Sequence, residues 1–155
     1  MRIGTGYDSH RFQEGRPLVL GGVVIPDHPG LSGHSDGDAV AHAVIDAILG
    51  AAAAGNVGTH FPPSDEEWKD ADSMDLLARA ARIVESRGYA VVNVDVTVIC
   101  ESPRIGTHSD AMLARVGEAM RVPSTAISIK GKTNEGMGWI GAGEGIAVHA
   151  VALIE

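Results

Sequence analysis

Cysteine is nearly absent from this sequence: Cys100 is the only one among 155 residues. A lone cysteine cannot form a disulfide within the chain, so the fold must be stable without covalent cross-links. The opening residues, MRIGTGYDSH, also lack the basic and then apolar segments of a secretory signal. We therefore expect a protein of the reducing cytoplasm or an equivalent compartment.

Long hydrophobic runs are also missing. The longest apolar stretch, residues 43–55, is interrupted by Asp46, whereas a helix that crosses a bilayer needs about 20 apolar residues. The chain has no low-complexity tract and no Pro/Ser-rich linker. At this length, and with 45% hydrophobic residues, the sequence predicts a single domain, residues 1–155, with a core of its own.

Basic residues are scarce, with 12 Lys and Arg against 20 Asp and Glu, which gives a net charge of −8. Because no basic cluster offsets this charge locally, we expect neither nucleic acid nor an anionic membrane surface as a partner. An anionic substrate would have to be met by bound cations. The candidate metal ligands are therefore the most informative residues.

The spacing of apolar residues predicts elements in the order ββααβαββ. Strand-like runs at residues 2–12 and 18–25 are interpreted as a hairpin, and helical spacing follows from Asp38 to Gly55. The later elements are a helix from an N-cap at Ser73 to Gly88, a strand at 89–100, a helix at 108–120, and strands at 126–130 and 145–154. This order predicts an α+β fold, a ferredoxin-like sheet with helices on one face and subunit association on the other.

Two short segments carry closely spaced Asp and His residues. Asp8 and His10 are two apart in a strand, so both side chains project from one face. Asp38, His42 and Asp46 share one helical face by i, i+4, i+8 spacing. Two histidines and one carboxylate suit Zn²⁺ or a similar ion and leave a fourth position open, so we predict Asp8, His10 and His42 as ligands. Asp38 and Asp46 are expected to orient the His42 ring, although either could bind the metal directly.

Helix capping is an alternative explanation for part of this pattern. Asp36 or Ser35 is expected to cap the helix, and Asp38 suits its positive N-terminus. Capping does not account for His42 and Asp46, which interrupt an apolar helix. Four other histidines lack ligand spacing: His28, His60, His108 and His149.

Two further loops follow predicted strands and offer polar groups. Residues 132–138, KTNEGMG, would suit a phosphate, although an ordinary Gly-rich turn is the favoured interpretation in isolation. Residues 100–106 could recognise a base edge or a phosphate through backbone groups, or could be a connection without function. Cys100 has no neighbouring motif typical of a nucleophile, so we expect a buried, unreactive thiol.

Six motifs occur in order along the chain: GxDxH at residues 6–10, HSDGDxxxH at 34–42, DAxLGA at 46–51, NVGxHFPPSD at 56–65, KTNEGMG at 132–138 and GEGIA at 143–147. Together they resemble the 2-C-methyl-D-erythritol 2,4-cyclodiphosphate synthase family over nearly the whole length. The resemblance implies a homotrimer with active sites between neighbouring subunits. It also implies a CMP-forming cyclase of non-mevalonate isoprenoid biosynthesis, in which the 2-phosphate of 4-diphosphocytidyl-2-C-methyl-D-erythritol 2-phosphate attacks the β-phosphorus.

The same resemblance implies a role for each matching segment. Zn²⁺ on the three predicted ligands would hold the β-phosphate, and Mg²⁺ or Mn²⁺ bound by Glu135 would bridge the α- and β-phosphates. His34 and Thr133 are implied as catalytic contacts to charge developing at phosphorus. The implied substrate contacts are Asp8, Ser9, His10, His34, Ser35, Asn56, Val57, Gly58, Phe61, Pro62, Pro63, Ser64, Asp65, Cys100, Glu101, Ser102, Pro103, Arg104, Ile105, Gly106, Lys132, Thr133, Asn134, Glu135, Trp139 and Ala142.

The chain departs from the family pattern at three positions. Asn56 stands where many relatives carry Asp, which keeps a hydrogen-bonding oxygen but loses a charge. Pro63 replaces an Asp of some relatives, and Ala142 replaces an Arg of many, which argues against an anion site in the central cavity of a trimer. Trp139 occupies an aromatic position, where packing between subunits explains it as well as substrate contact.

Two other functions stay open on the sequence alone. A metal phosphohydrolase would use the open metal position to activate water. A metal-stabilised trimeric binding or scaffold protein would use the same ligands only to strengthen the fold. A cytidine pocket would favour the cyclase over the hydrolase, and unfolding upon metal removal would favour the scaffold.

Overall fold

A mixed sheet of five strands forms the centre of the fold. The computed structural model describes residues 1–155, and its strands are β1 (Arg2–Gln13), β2 (Leu18–Leu20), β3 (Val23–Ile25), β4 (Gly30–Leu31), β5 (Val91–Ile99), β6 (Ile127–Lys132) and β7 (Gly145–Ile154). The main sheet has the order β4-β1-β7-β5-β6, and β2 pairs with β3 in a separate hairpin. Only the β5–β6 pair is parallel; the other pairs are antiparallel.

Helices pack against this sheet and against one another. They are α1 (Ala39–Ala51), α2 (Val57–His60), α3 (Ser73–Ser86), α4 (Ser109–Met120) and α5 (Gly138–Gly141). Helix α1 lies against β1 and β7, and α3 contacts both α1 and α4. The structure confirms the predicted α+β class, and none of its helices has the length and apolar content needed to cross a bilayer.

The close approach of α1 to β1 depends on two glycines. A Cβ atom on Gly4 would lie 2.0 Å from the carbonyl oxygen of Ala47, and one on Gly6 would lie 1.9 Å from that of Ala43. Any larger residue would therefore collide with the helix backbone. Along α1, only His42, Asp46 and the exposed Gly50 escape full burial, so the helix presents its polar stripe beside the strand that carries Asp8.

The predicted hairpin between residues 2–12 and 18–25 is wrong. Strand β1 pairs with β7 along residues 2–11 and with β4 at Phe12 and Gln13. Residues 18–25 instead fold back on themselves, because Gly21 (φ 56°) and Gly22 (φ 72°) form a tight turn between β2 and β3. Two consecutive residues with positive φ are typical of the type I′ turn that joins two-residue hairpins.

Both predicted N-caps are also wrong, by two or three residues for α1 and by one residue for α3. Asp38, not Asp36 or Ser35, caps α1 by accepting a hydrogen bond from the Ala41 N–H. Asp72, not Ser73, caps α3 through the Met74 N–H. Asp72, one position before the expected cap, reaches the backbone donors of α3, and this leaves the Ser73 hydroxyl free for other contacts.

One face of the main sheet is buried under the helices, and the other is exposed in the single chain. The inward side chains of β5, Val94, Val96 and Val98, are at most 1% exposed. On the opposite face, Ile3 is 71%, Tyr7 51% and Val151 45% exposed. Exposed apolar side chains in neighbouring strands are typical of a surface that another protein surface covers.

Candidate active site

Three side chains converge at the junction of β1 and α1. The Oδ2 atom of Asp8 lies 2.8 Å from Nε2 of His10 and 3.0 Å from Nδ1 of His42. One ligand atom from each of these residues lies within 4.8 Å of the other two, and no other group of three His, Cys, Asp or Glu residues converges in this way. The structure therefore brings together the three metal ligands predicted from the sequence.

The local backbone explains why these three groups meet. Asp8 and His10 alternate with outward-facing residues on β1, so both side chains point to the α1 side of the sheet. His42 lies in the first turn of α1, which the small residues of β1 allow to approach closely. Strand and helix thus supply ligands from two rigid elements.

The donor set fits a divalent ion such as Zn²⁺. Two imidazole nitrogens and one carboxylate oxygen face one point, and the side facing the adjoining cavity is open. Burial alone would raise the pKa of Asp8, but hydrogen bonds from His10 and His42 outweigh it and hold that pKa well below its ordinary value. Burial would likewise lower the pKa of His42, but its hydrogen bond to Asp8 and the nearby carboxylates raise it. A proton and a metal ion therefore compete for the same atoms.

The far sides of both imidazole rings are also hydrogen-bonded. Nδ1 of His10 lies 2.5 Å from the carbonyl oxygen of Ser32. Nε2 of His42 lies 3.1 Å from the Ser73 hydroxyl and 3.2 Å from the Ser35 hydroxyl. Partners of this kind fix the orientation of a metal-binding histidine.

Asp38 and Asp46 do not orient the His42 ring, contrary to the prediction. The fully buried Asp38 carboxylate accepts hydrogen bonds from the N–H groups of Gly21, Gly22 and Ala41. Its burial raises its pKa to about 6, against the lowering effect of these donors. Asp46 accepts a 2.7 Å bond from the Val57 N–H and so holds the start of α2, while its partial burial raises its pKa. Helical spacing places both residues near His42 but not against it.

A cavity of about 270 Å³ adjoins the three ligands. It is lined by residues of three predicted segments together with two residues that the sequence did not indicate: Asp8, His10, His34, Ser35, His42, Val57, Gly58, Phe61, Pro63, Trp68 and Leu76. Arg16 holds the loop that carries His34, because its guanidinium donates to the carbonyl oxygens of Gly33 at 2.7 Å and Ser35 at 2.5 Å.

The predicted loops after β5 and β6 form a second cavity of about 360 Å³. Its lining is Cys100, Glu101, Pro103, Arg104, Ile105, Gly106, Gly131, Lys132 and Thr133. The two loops are tied together by the Glu101 carboxylate, which accepts a hydrogen bond from the Asn134 N–H at 2.8 Å. Thr133 donates its hydroxyl hydrogen to Glu135 at 3.0 Å.

Cys100 is 4% exposed, which confirms the predicted buried thiol. Burial and the nearby Glu101 carboxylate raise its pKa to about 11. A thiol with such a pKa is almost entirely protonated at neutral pH and is a poor nucleophile. Its place in the second cavity is therefore a packing position.

The two cavities lie on one sheet but share no lining residue. Asp8 pairs with Val148, Val148 with Val98, and Val98 with Gly131. Three strand spacings separate Asp8 from Gly131, which is about 14 Å. A single chain therefore does not enclose both groups of predicted site residues in one pocket.

The remaining predicted residues lie outside these two linings. Ser9 and Trp139 line a separate shallow hollow with His10, Arg11 and Glu144. Asn56 caps α2, and Asp65 caps the short turn at Glu66–Trp68. The others are found in neither cavity: Pro62, Ser64, Ser102, Asn134, Glu135 and Ala142.

Sequence reasoning missed several residues that shape the first cavity. Trp68 packs edge-on against Phe61 at 5.2 Å between ring centroids, and the Arg79 guanidinium lies over the Trp68 ring. No motif marked either residue. The sequence predicts Ser73 only as a helix cap, and its burial at 0% exposure beside the helix that carries His42 follows only from the fold.

Comparisons with known proteins agree with this arrangement. The YgbB family model matches residues 1–155. A 2-C-methyl-D-erythritol 2,4-cyclodiphosphate synthase of Symbiobacterium thermophilum is 54% identical over 154 residues, which cover 99% of this chain and 98% of that protein. The enzyme of the same name from Salinibacter ruber is 52% identical over 155 residues, covering 100% and 99%.

Solved structures give the same result. A 2C-methyl-D-erythritol-2,4-cyclodiphosphate synthase in a CDP-bound form superposes with a TM-score of 0.90 at 39% identity, covering 99% of this chain and all of that chain. The bifunctional IspDF of Campylobacter jejuni superposes with a TM-score of 0.95 at 39% identity. This chain covers 42% of that longer protein.

Proposed function

The chain belongs to the YgbB family, that of the 2-C-methyl-D-erythritol 2,4-cyclodiphosphate synthases, and from this premise we propose that it catalyses the reaction its relatives are named for. The substrate is 4-diphosphocytidyl-2-C-methyl-D-erythritol 2-phosphate. An oxygen of the 2-phosphate bonds to the β-phosphorus, and the bond from that phosphorus to the bridging oxygen breaks. CMP leaves with the electron pair, and the products are CMP and the 2,4-cyclodiphosphate.

The observation that carries this proposal is the convergence of Asp8, His10 and His42 at a cavity that is also lined by residues of the 57–63 segment. A phosphate nucleophile needs no strong general base, so catalysis depends on position and charge neutralisation. Bound ions supply that charge neutralisation as Lewis acids, and we assign Zn²⁺ or a similar ion to these three residues and Mg²⁺ or Mn²⁺ to Glu135. A chain with a net charge of −8 is expected to need such bound cations in order to bind an anionic substrate.

The two cavities divide the substrate between them in this proposal. The first cavity receives the methylerythritol part, and His34 and Ser35 line it from the loop that Arg16 holds. The second receives the cytidine part, since residues of the loop after β5 and the cationic Lys132 line it. His34 would donate to a phosphoryl oxygen as negative charge develops there, and Thr133 would do so once its hydroxyl hydrogen turns from Glu135 to the substrate.

We also propose that a single domain, residues 1–155, assembles as a homotrimer with each active site between two subunits. Two observations support this assembly. The apolar sheet face that includes Tyr7 and Val151 is exposed in the single chain. Asp8 of the first cavity and Gly131 of the second are about 14 Å apart in one chain, so the cytidine loops of one subunit and the metal ligands of the next can complete one site.

The proposal is tested by measuring CMP release chromatographically with Zn²⁺ and Mg²⁺ present, for the native protein and for His42→Ala. We expect the loss of one of three ligands to reduce turnover at least about 100-fold, with the trimer retained. His108→Ala is the matched control, because that side chain makes no capping hydrogen bond at the start of α4 and lines neither cavity. Full activity of His42→Ala would disprove the metal assignment.

A further inference from the structure

The His42 ring has a different environment at each nitrogen. Nδ1 faces Asp8, and Nε2 faces two hydroxyl groups at nearly equal distances, Ser73 at 3.1 Å and Ser35 at 3.2 Å. The two serines differ in what lies behind them. Ser73 is backed by the Asp36 carboxylate, whereas the nearest donor to the Ser35 hydroxyl is the Gly37 N–H at 3.5 Å.

The contact between Ser73 and Asp36 determines the direction of the hydrogen bonds. The Ser73 hydroxyl lies 2.5 Å from Oδ1 of Asp36, and a carboxylate can only accept, so the hydroxyl hydrogen points to Asp36. The serine oxygen then offers only a lone pair to His42. Nε2 of His42 must therefore carry a hydrogen and donate it to Ser73.

The Asp36 carboxylate is itself held in place. Its Oδ2 atom accepts the Ser73 N–H at 2.9 Å, and its Oδ1 atom also accepts the Asp38 N–H at 3.1 Å. Ser73 is 0% exposed. With both partners fixed, the orientation of the His42 ring follows from groups that belong to the β4–α1 loop and to the first turn of α3.

When a metal ion replaces the proton that Nδ1 donates to Asp8, the hydrogen on Nε2 stays in place and the lone pair of Nδ1 is directed at the ion. His10 is controlled in the equivalent way, since its Nδ1 faces the Ser32 carbonyl oxygen, which can only accept. Both rings thus present an unprotonated nitrogen to the ion, which metal binding requires. For His10 the backbone does this, and for His42 two side chains do.

We propose that Asp36 and Ser73 are positioning residues that fix the tautomer and ring orientation of His42 through a carboxylate–hydroxyl–imidazole relay. Neither residue touches the metal position or the substrate cavity. The inference rests on the proposed metal centre and adds to it a buried pair of side chains that controls how tightly the ion is held.

A purely structural role for the same pair makes a different prediction. Asp36 and Ser73 also join the β4–α1 loop to α3 through the Ser73 N–H. Ser73→Ala keeps that backbone hydrogen bond and removes only the hydroxyl. If the pair served the fold alone, this variant would bind metal as the native protein does.

The test is the Zn²⁺ affinity of the metal-free protein, measured by competition with a chromophoric chelator. Ser73→Ala and Asp36→Ala should each weaken binding about 10- to 100-fold, as is usual when the outer partner of a metal-binding histidine is lost. The double variant should be no weaker than the weaker single variant, because either change breaks the same relay. The ligand-field spectrum of the Co²⁺-loaded single variants should also differ from that of the native protein.

Three further variants keep the result interpretable. Ser86→Ala, on the same helix and bonded only to the Ile83 carbonyl, should bind Zn²⁺ with native affinity. Ser35→Ala should weaken binding by less than about threefold, because no carboxylate backs that hydroxyl. Asp36→Asn replaces Asp36→Ala if the latter does not fold, which thermal unfolding of the metal-free protein shows, and it should also weaken binding.

Two results would overturn the relay: native Zn²⁺ affinity in a folded Ser73→Ala protein, or losses that multiply in the double variant. Failure of the metal centre itself gives a separate result. In that case His42→Ala would bind Zn²⁺ as well as the native protein does.

Discussion

A single oxygen, Oδ2 of Asp8, organises the metal centre because it lies within hydrogen-bonding distance of both imidazole rings. The position of Asp8 follows from the alternation of inward and outward residues along β1. The position of the His42 ring follows from the first turn of α1. At this scale, metal binding depends on the hydrogen-bond partners of the two imidazole rings as much as on the ligands themselves. Ser32 and Ser73 determine which ring nitrogens are free, and both are invisible to a search for ligand spacing.

Cys100 provides a test of electrostatics at one residue. Since its pKa is raised to about 11, only about one thiol in a thousand is ionised at pH 8, and thiolate is the reactive form. We expect alkylation by iodoacetamide to be very slow at pH 8 and to accelerate as the pH rises toward 11. The denatured protein is the control, and it should react with a midpoint near the ordinary cysteine pKa. Fast alkylation of the folded protein at pH 8 would contradict the buried, packing role.

At the scale of elements, the helices and later strands could be predicted because their signals are local. Helix α1 follows from its apolar spacing, and β5 and β7 follow from β-branched runs. The predicted hairpin of residues 2–12 and 18–25 failed because the partner of β1 is β7, at the other end of the chain. Pairing between distant segments leaves no local signal in the sequence, and the Gly21–Gly22 turn lies inside the strand predicted at residues 18–25.

The contact between α1 and β1 predicts opposite effects for two glycine substitutions. Gly4→Ala should lower the free energy of unfolding by about 3 kcal/mol, since the added methyl group would collide with the backbone of α1. Gly50→Ala should raise the free energy of unfolding by about 0.5 to 1 kcal/mol. Gly50 is an exposed helical residue, and a Cβ atom added there would have one neighbour within 4 Å, the Thr5 carbonyl oxygen at 3.9 Å. Urea denaturation measures both. Equal effects of the two substitutions would contradict the packing described.

Asp38 joins the β2–β3 turn to the start of α1. Asp38→Ala should lower the free energy of unfolding by about 3 kcal/mol, because it removes a helix cap and leaves the N–H groups of Gly21 and Gly22 without an acceptor. Asp110→Ala is the control, as that residue lies in the first turn of α4 and is exposed. Its substitution should cost less than about 1 kcal/mol. Similar losses for the two variants would show that the buried contacts of Asp38 contribute little.

At the scale of the whole molecule, the site is divided between two parts of the sheet. The motifs for metal and for nucleotide could be recognised in the sequence because each is a short run of residues with fixed chemistry. Their separation could not, since it depends on the order of strands between Asp8 and Gly131. The outer partners of His42 were missed for the same reason: Ser73 reaches it across 31 positions of sequence.

The proposed trimer predicts that a charge on the exposed sheet face separates the subunits. Val151→Lys places an ammonium group on β7, where Val151 is 45% exposed in the single chain, and burying that charge at an interface is unfavourable. We expect sedimentation to give three times the 16.1 kDa chain mass for the native protein and the single-chain mass for the variant, with activity lost. Val24→Lys, on the β2–β3 hairpin and 63% exposed, is the matched control and should stay trimeric. A trimeric, active Val151→Lys would exclude this face as the interface.

Phosphorus NMR of the native protein with the cytidyl diphosphate substrate, Zn²⁺ and Mg²⁺ tests the central claim most directly. We expect the substrate resonances to be replaced by those of CMP and a cyclic diphosphate in equal amounts, and we expect no reaction in a sample treated with chelator. Linear phosphates or inorganic phosphate in place of the cyclic product would contradict the cyclase and identify a metal phosphohydrolase instead.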